Sequence, residues 1–134
     1  MFDHVGIVVA NLDVARAFYG GCLAALHYHL LQDLAQTPTE GRLVFGRGGR
    51  GDPFFVVAAG RPSYWNTVHR TGSAPDHLAF VAPNREAVDA FHRAGLQNGG
   101  RDNGAPGPRR SSTEYYAAFL VDPDGNNVEA GFRS

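Results

Sequence analysis

Apolar and polar residues fall in short blocks along this 134-residue chain, and the blocks predict strands broken by two helices. Residues 4–10 form an apolar, β-branched run closed by Asn11, a candidate N-cap, with Asp13 in the first turn of the helix that should follow. Apolar Val14, Ala17, Phe18 and Leu26 place that helix over about Leu12–Leu26, and Gly20-Gly21 should weaken it or end it early. Strand-like stretches near 28–35, 42–47 and 53–59 follow, separated by Gly- and Pro-rich turns. A second apolar run at 77–82 leads into a helix from Asn84 to about Asn98. Strands at 115–121 and 127–133 are joined by Asp122-Pro123-Asp124-Gly125, which has strong turn chemistry. Residues 99–112, crowded with Gly, Pro, Arg and Ser, read mostly as loop.

The pattern occurs twice. Shifted by 73 residues, DHVGIVVANLDVARAF (3–18) falls on DHLAFVAPNREAVDAF (76–91) without a gap. Six of the sixteen pairs are identical: Asp3/Asp76, His4/His77, Val8/Val81, Asn11/Asn84, Ala17/Ala90 and Phe18/Phe91. A period of just over half the chain means two copies of one unit rather than a solenoid. Each copy reads as βαβββ. The chain is thus one α+β domain with module one at 1–60, a linker at 61–75 and module two at 76–134.

Strand alternation assigns faces. Val5, Ile7 and Val9 should pack on the helices, with His4, Gly6 and Val8 opposed to them. Leu78, Phe80 and Ala82 repeat this against His77, Ala79 and Val81. In the last strand Val128, Ala130 and Phe132 share the apolar face, which leaves Glu129 on the other. Two repeat-related histidines and a glutamate on matching faces offer neutral imidazole nitrogens and a carboxylate. That is the donor set of a divalent metal with open positions for substrate.

Composition narrows the field without naming a reaction. The chain is 43% hydrophobic and 19% charged, as expected of an ordinary soluble globular protein. Its net charge of −1 excludes the bulk electrostatics of a nucleic-acid binder, and Arg109-Arg110 is the only basic cluster. All twelve basic residues are Arg, from which no function follows. A single cysteine, Cys22, rules out an intrachain disulfide and fits a reducing, cytoplasmic compartment. No apolar run approaches the roughly 18–20 residues of a membrane span, so no membrane role is expected.

DHVGIVVANLDVARAFY, DHLAFVAPNREAVDAF and YYAAFLVDPDGNNVEA together resemble the vicinal oxygen chelate superfamily, also called the glyoxalase/bleomycin resistance protein/dioxygenase family, over essentially the whole chain. The resemblance implies paired βαβββ modules whose sheets form a half-open, barrel-like sheet around a metal site. It puts the family's metal ligands on His4, His77 and Glu129, holding a divalent ion such as Zn, Ni, Fe, Mn or Co. It further implies a metal-dependent lyase or isomerase, transferase or dioxygenase acting on a small oxygenated metabolite or xenobiotic, and a homodimer. Glu129 is then also the candidate catalytic residue, able to detach and take a proton. The competing reading is a non-catalytic protein that sequesters an antibiotic or aromatic ligand in the same cavity.

The chain departs from named members. Glyoxalase I enzymes take a fourth ligand from the last strand of the first module, where the repeat offset puts Val56 opposite Glu129, and Val cannot ligate. Extradiol dioxygenases and fosfomycin-resistance transferases typically carry a Tyr ten positions before the carboxylate; here that residue is Phe119. Tyr115 lies on the same strand face and is a candidate substitute donor, although Tyr115 and Tyr116 also read as an aromatic pair packed on a sheet. Arg61, Trp65 and His69 of the linker are either substrate contacts or an exposed loop with one anchoring Trp. His27, His29 and His92 read as surface residues, and Cys22 as packed rather than reactive.

Overall fold

The computed structural model of the chain describes residues 1–60, 76–109 and 112–134. Module one runs β1 (His4–Val8), α1 (Leu12–Ala24), β2 (His29–Asp33), β3 (Gly41–Gly46) and β4 (Phe54–Ala59). Module two runs β5 (Leu78–Val81), α2 (Arg85–Gln97), β6 (Arg101–Arg109), β7 (Ser112–Val121) and β8 (Asn127–Arg133). The architecture is α+β, with two four-stranded mixed sheets in the orders β1-β4-β3-β2 and β5-β8-β7-β6. The first strand of each module pairs in parallel with the last, and the remaining pairs are antiparallel. There is no closed barrel: β1 and β5 each end their own sheet.

The helices form where the caps say they should. Asn11 accepts from the backbone N–H groups of Asp13 and Val14, and Asn84 from that of Ala87, which satisfies orphan donors at both N-termini. Gly20-Gly21 does not break α1. A Cβ at Gly21 would stand 2.5 Å from Asn98 Nδ2, so this glycine instead lets the end of α2 approach α1. The strand faces are as predicted, with Ile7, Val9, Ala82, Val128 and Ala130 in one buried cluster that both modules share, joined by Phe18, Leu43, Phe45, Val57, Phe91 and Leu120. For the first helix the expectation holds only in part: Phe18 and Leu26 are buried, but Val14 and Ala17 are exposed, and Leu12, Ala15, Tyr19, Cys22 and Leu23 complete the buried side. Phe80 of β5 packs edge-on against Phe55 of β4 at 5.3 Å. Cys22 is fully buried, and burial pushes its thiol pKa up, as a packing role requires. No helix among the described residues is long and apolar enough to cross a membrane.

Three further readings need correction. Residues 101–109, expected as loop, form β6 against β7, with register shifts between Asp102 and Gly104, Gly104 and Gly107, and Pro108 and Arg109. An edge strand tolerates this: Gly104 takes φ +154°, and Pro106 falls in the register shift between Gly104 and Gly107. Tyr115 and Tyr116 are not a packed pair, because strand alternation sends them to opposite faces; Tyr116 donates to Asp89 of α2 at 2.7 Å. His92 is not a surface residue: its side chain is 11% exposed and its Nε2 lies 2.9 Å from Asp102 of β6. His27 and His29 are exposed, as expected, and His27 takes φ +63°.

One buried polar cluster docks the modules. Tyr19 of α1 donates to Asp122 Oδ2 at 2.5 Å, across 103 residues of chain. Asp122 is 1% exposed and also accepts from the backbone N–H groups of Asp124 and Asn126 and from Asn126 Nδ2. Asp124 in turn accepts from the Ala10 N–H at 2.9 Å. Burial, reinforced by the Asp122 charge, drives the Tyr19 phenol pKa far up, so Tyr19 is a permanent donor. Tyr19→Phe should therefore cost about 1.5–3 kcal/mol, the range for a hydrogen bond to a buried charge. Urea unfolding should show a lowered midpoint at unchanged slope; an unaltered midpoint would dismiss the coupling.

Candidate functional site

The face of module two turned away from the helices is built by period-two alternation on β7 and β8. Register pairs Phe119 with Glu129, Ala117 with Gly131, and Tyr115 with Arg133. Parallel pairing brings Ala79 of β5 beside Glu129. The result is a groove of about 740 Å³ lined by His77, Arg109, Tyr115, Phe119, Glu129 and Arg133, among others. His77 Nε2 stands 3.4 Å from Glu129 Oε2. The His77 ring meets the Phe119 ring edge-on, with centroids 6.4 Å apart.

The repeated Asp-His dipeptide has a structural meaning. Asp76 lies 2.8 Å from His77 Nδ1, and Asp3 lies 2.6 Å from His4 Nδ1. A carboxylate on Nδ1 favours the proton there and leaves Nε2 as a lone-pair donor, the arrangement typical of a metal-bound histidine. Glu129 is 4% exposed, and its Oε1 accepts from the Tyr115 hydroxyl. Burial, with the Glu129 hydrogen bond and charge, pushes the Tyr115 pKa up to about 12, against the lowering pull of Arg133 and Arg109. Tyr115, not Phe119, thus supplies the hydroxyl that donates to Glu129. It does so from the next pair but one along the strand, by lying across Gly131.

The glycine is required for that reach. A Cβ at Gly131 would stand 2.2 Å from the Tyr115 hydroxyl oxygen and 2.6 Å from its ring. Sequence reasoning singled out Tyr115 but not Gly131, Asp3, Asp76, Arg109 or Arg133 as site residues. The available signals were the duplicated Asp-His and the period-two spacing Glu129–Gly131–Arg133.

His4 does not join this groove. It lines a separate groove of about 400 Å³ on module one, with Gly6, Val8, Arg42, Val56 and others. There its ring stacks on Phe54 at 4.7 Å and an interplanar angle of 9°. Register pairs Gly6 with Val56 as it pairs Ala79 with Glu129, so Val56 holds the position equivalent to the carboxylate. Among the described residues no group of three or more His, Cys, Asp or Glu is placed to hold a metal ion. The expected ligands thus divide: His77 and Glu129 share one groove, and His4 lies in another. Arg61, Trp65 and His69 fall outside the described residues.

Comparison with known proteins gives the family and the fold. The family model described as Glyoxalase/Bleomycin resistance protein/Dioxygenase superfamily matches residues 1–130. A glyoxalase/bleomycin resistance protein from Albidiferax ferrireducens T118 superposes with a TM-score of 0.74 at 28% identity, over 100% of this chain and 99% of that one. A glyoxalase/bleomycin resistance protein/dioxygenase family enzyme from Burkholderia phytofirmans PsJN gives a TM-score of 0.67 at 18% identity, over 98% of each chain, and speaks to the fold alone. The uncharacterized protein YqjT of Bacillus subtilis (strain 168) is 28% identical over 94% of each chain.

Gly131→Ala tests the reach of Tyr115. The added methyl forces the phenol off Glu129 and should destabilise the fold by about 1–3 kcal/mol, the usual cost of overpacking. Thermal melting measures it. The double variant Gly131→Ala/Tyr115→Ala, which removes the clash, should recover part of the loss; no recovery would show that Tyr115 is not what Gly131 accommodates.

Proposed function

The chain belongs to the glyoxalase/bleomycin resistance protein/dioxygenase superfamily, and from that premise we propose that it is a metal-dependent enzyme acting on a small oxygenated metabolite or xenobiotic. The observation that carries this reading is the set Asp76–His77–Glu129: an imidazole oriented by a carboxylate, beside a buried carboxylate, opening on a groove of substrate size. These donors suit a borderline divalent ion such as Zn, Ni, Fe, Mn or Co. When bound, such an ion supplies a Lewis acid for substrate oxygens. His77 Nε2 and Glu129 would hold it, with His4 as the third ligand.

His4 reaches such a site from a second copy of the chain. β1 and β5 are both sheet edges, and Val8 and Val81 on them are 37% and 69% exposed. Edge strands of this kind are normally covered. A two-fold axis that sets β1 of one copy beside β5 of the other covers both edges and builds two equal sites. Within each, the Tyr115 hydroxyl fixes Glu129 Oε1, and Glu129 would detach at Oε2 and take the substrate proton there. Phe119 offers the substrate an apolar surface where a hydroxyl donor would otherwise stand.

Metal analysis of untagged protein should find stoichiometric divalent ion, and His77→Ala should abolish it. Full occupancy in His77→Ala would overturn the ligand assignment, and sub-stoichiometric metal after supplementation would favour a sequestering protein. Light scattering at micromolar concentration should report a dimer of the 14.4 kDa chain. Co-refolding His4→Ala with His77→Ala separates sharing from self-sufficiency. Mixed dimers recover one intact site if His4 serves the partner's groove, and none if it serves its own.

The same reading predicts that Phe119→Tyr leaves metal binding intact and does not improve turnover of the native substrate. Fe(II)-loaded protein with catechols, and Mn(II)-loaded protein with fosfomycin and thiols, should both turn over poorly. A kcat/KM of about 10⁴ M⁻¹s⁻¹ or more for either would defeat the Phe119 argument.

A further inference from the structure

Two guanidinium groups line the same groove as His77 and Glu129, and neither is in an ion pair among the described residues. Arg109, at the end of β6, lies over the Phe119 ring at 5.3 Å. Its Nη2 donates to the carbonyls of Ala105 at 2.5 Å and Ala117 at 2.8 Å, which pins the head group where β6 bulges away from β7. Its Nε is sealed from solvent and has no hydrogen-bond partner among the described residues, so it is the Nη side of the fork that can meet a ligand. Arg133, four residues after Glu129 on the same strand face, lies over the Tyr115 ring at 4.1 Å. Both arginines act on the charge of the Tyr115 phenol.

Glu129 does not neutralise these cations. One of its oxygens is taken by Tyr115 and the other faces His77. Asp76 is spent on His77 Nδ1, and Glu114, the remaining carboxylate of the lining, is in no ion pair with Arg109 or Arg133 among the described residues. A structural role accounts for the Nη2 contacts of Arg109. It does not account for a second guanidinium set over a groove-lining ring with no ion pair among the described residues.

We propose that Arg109 and Arg133 form an anion subsite, and that the molecule this groove takes is a small carboxylate with an apolar body. The carboxylate sits at the Tyr115 end, met by guanidinium forks suited to planar oxyanions. The apolar body packs on Phe119, which leaves its other oxygens toward His77 and Glu129. Aromatic faces under both guanidiniums hold them in place at little entropic cost. The proposal deepens the enzyme reading and rests on it for the groove's being the active site, but the subsite itself does not require a metal.

Benzoate, with benzamide as its neutral isostere, tests this on the EDTA-treated full chain by isothermal titration or NMR shift mapping. Benzoate should bind saturably with a dissociation constant in the millimolar range, and benzamide at least about tenfold more weakly, as charge-assisted bonds demand. Arg133→Gln, at an exposed position that leaves folding intact, should weaken benzoate about tenfold and leave benzamide unchanged. Arg109→Gln should do the same; if it unfolds, Arg133→Gln alone decides. Equal binding of the two probes, absence of saturation by about 50 mM, or an unaltered benzoate affinity in Arg133→Gln would each overturn the subsite. Failure of metal to bind, with benzoate binding intact, would instead strike the enzyme reading.

Discussion

The buried Asp122 carboxylate is the point from which the rest of the structure is held. It sits in the turn between β7 and β8 and gathers four donors: Tyr19 from α1, two backbone N–H groups and the Asn126 amide. A buried charge costs several kcal/mol unless fully paired, so this cluster is stable only when α1 and the turn are both in place. The turn also sets how β8 lies on β7. Because side chains alternate with a period of two, a slip of one residue would send Glu129 into the core and Val128 into the groove. The carboxylate that docks module one on module two thus also keeps the candidate site facing outward.

That dependence explains which parts of the molecule were legible in the sequence. The helices, with their Asn caps, and the inner faces of β1, β5 and β8 follow from local periodicity and were predictable. Asp122-Pro123-Asp124-Gly125 was readable as a turn, but its contact with Tyr19 was not, since nothing local marks a partner 103 residues away. β6 was missed because Gly and Pro report local backbone preference, whereas an edge strand with bulges is fixed by the neighbour it pairs with. His92 was missed for a related reason: its partner Asp102 lies on that same unrecognised strand.

For the candidate site, spacing was informative and distance was not. His77, Glu129, Tyr115 and Phe119 were placed on one face by counting residues, and they do share a groove. Counting also gave His4 the face equivalent to that of His77, which it has. It could not say that equivalent faces of two modules look into different grooves, because that depends on how the helices pack against each other. Gly131 escaped because its role is the absence of a side chain, which matters only once Tyr115 is seen to cross it.

The two modules share a plan but not a chemistry, and the difference has a consequence. Module one presents a histidine beside Val56, while module two presents a histidine beside Glu129 and a phenol that fixes it. Had both carried the carboxylate, each groove would hold an equivalent half-site. With Val56 in place of one carboxylate, module one supplies a single imidazole and module two the remainder. On the proposed reading, assembly then links directly to activity. A lone chain holds only two of the three ligands together, and two ligands rarely retain a borderline divalent ion at cellular concentrations. Association of the exposed β1 and β5 edges would then serve two needs at once, covering unpaired backbone and completing the donor set.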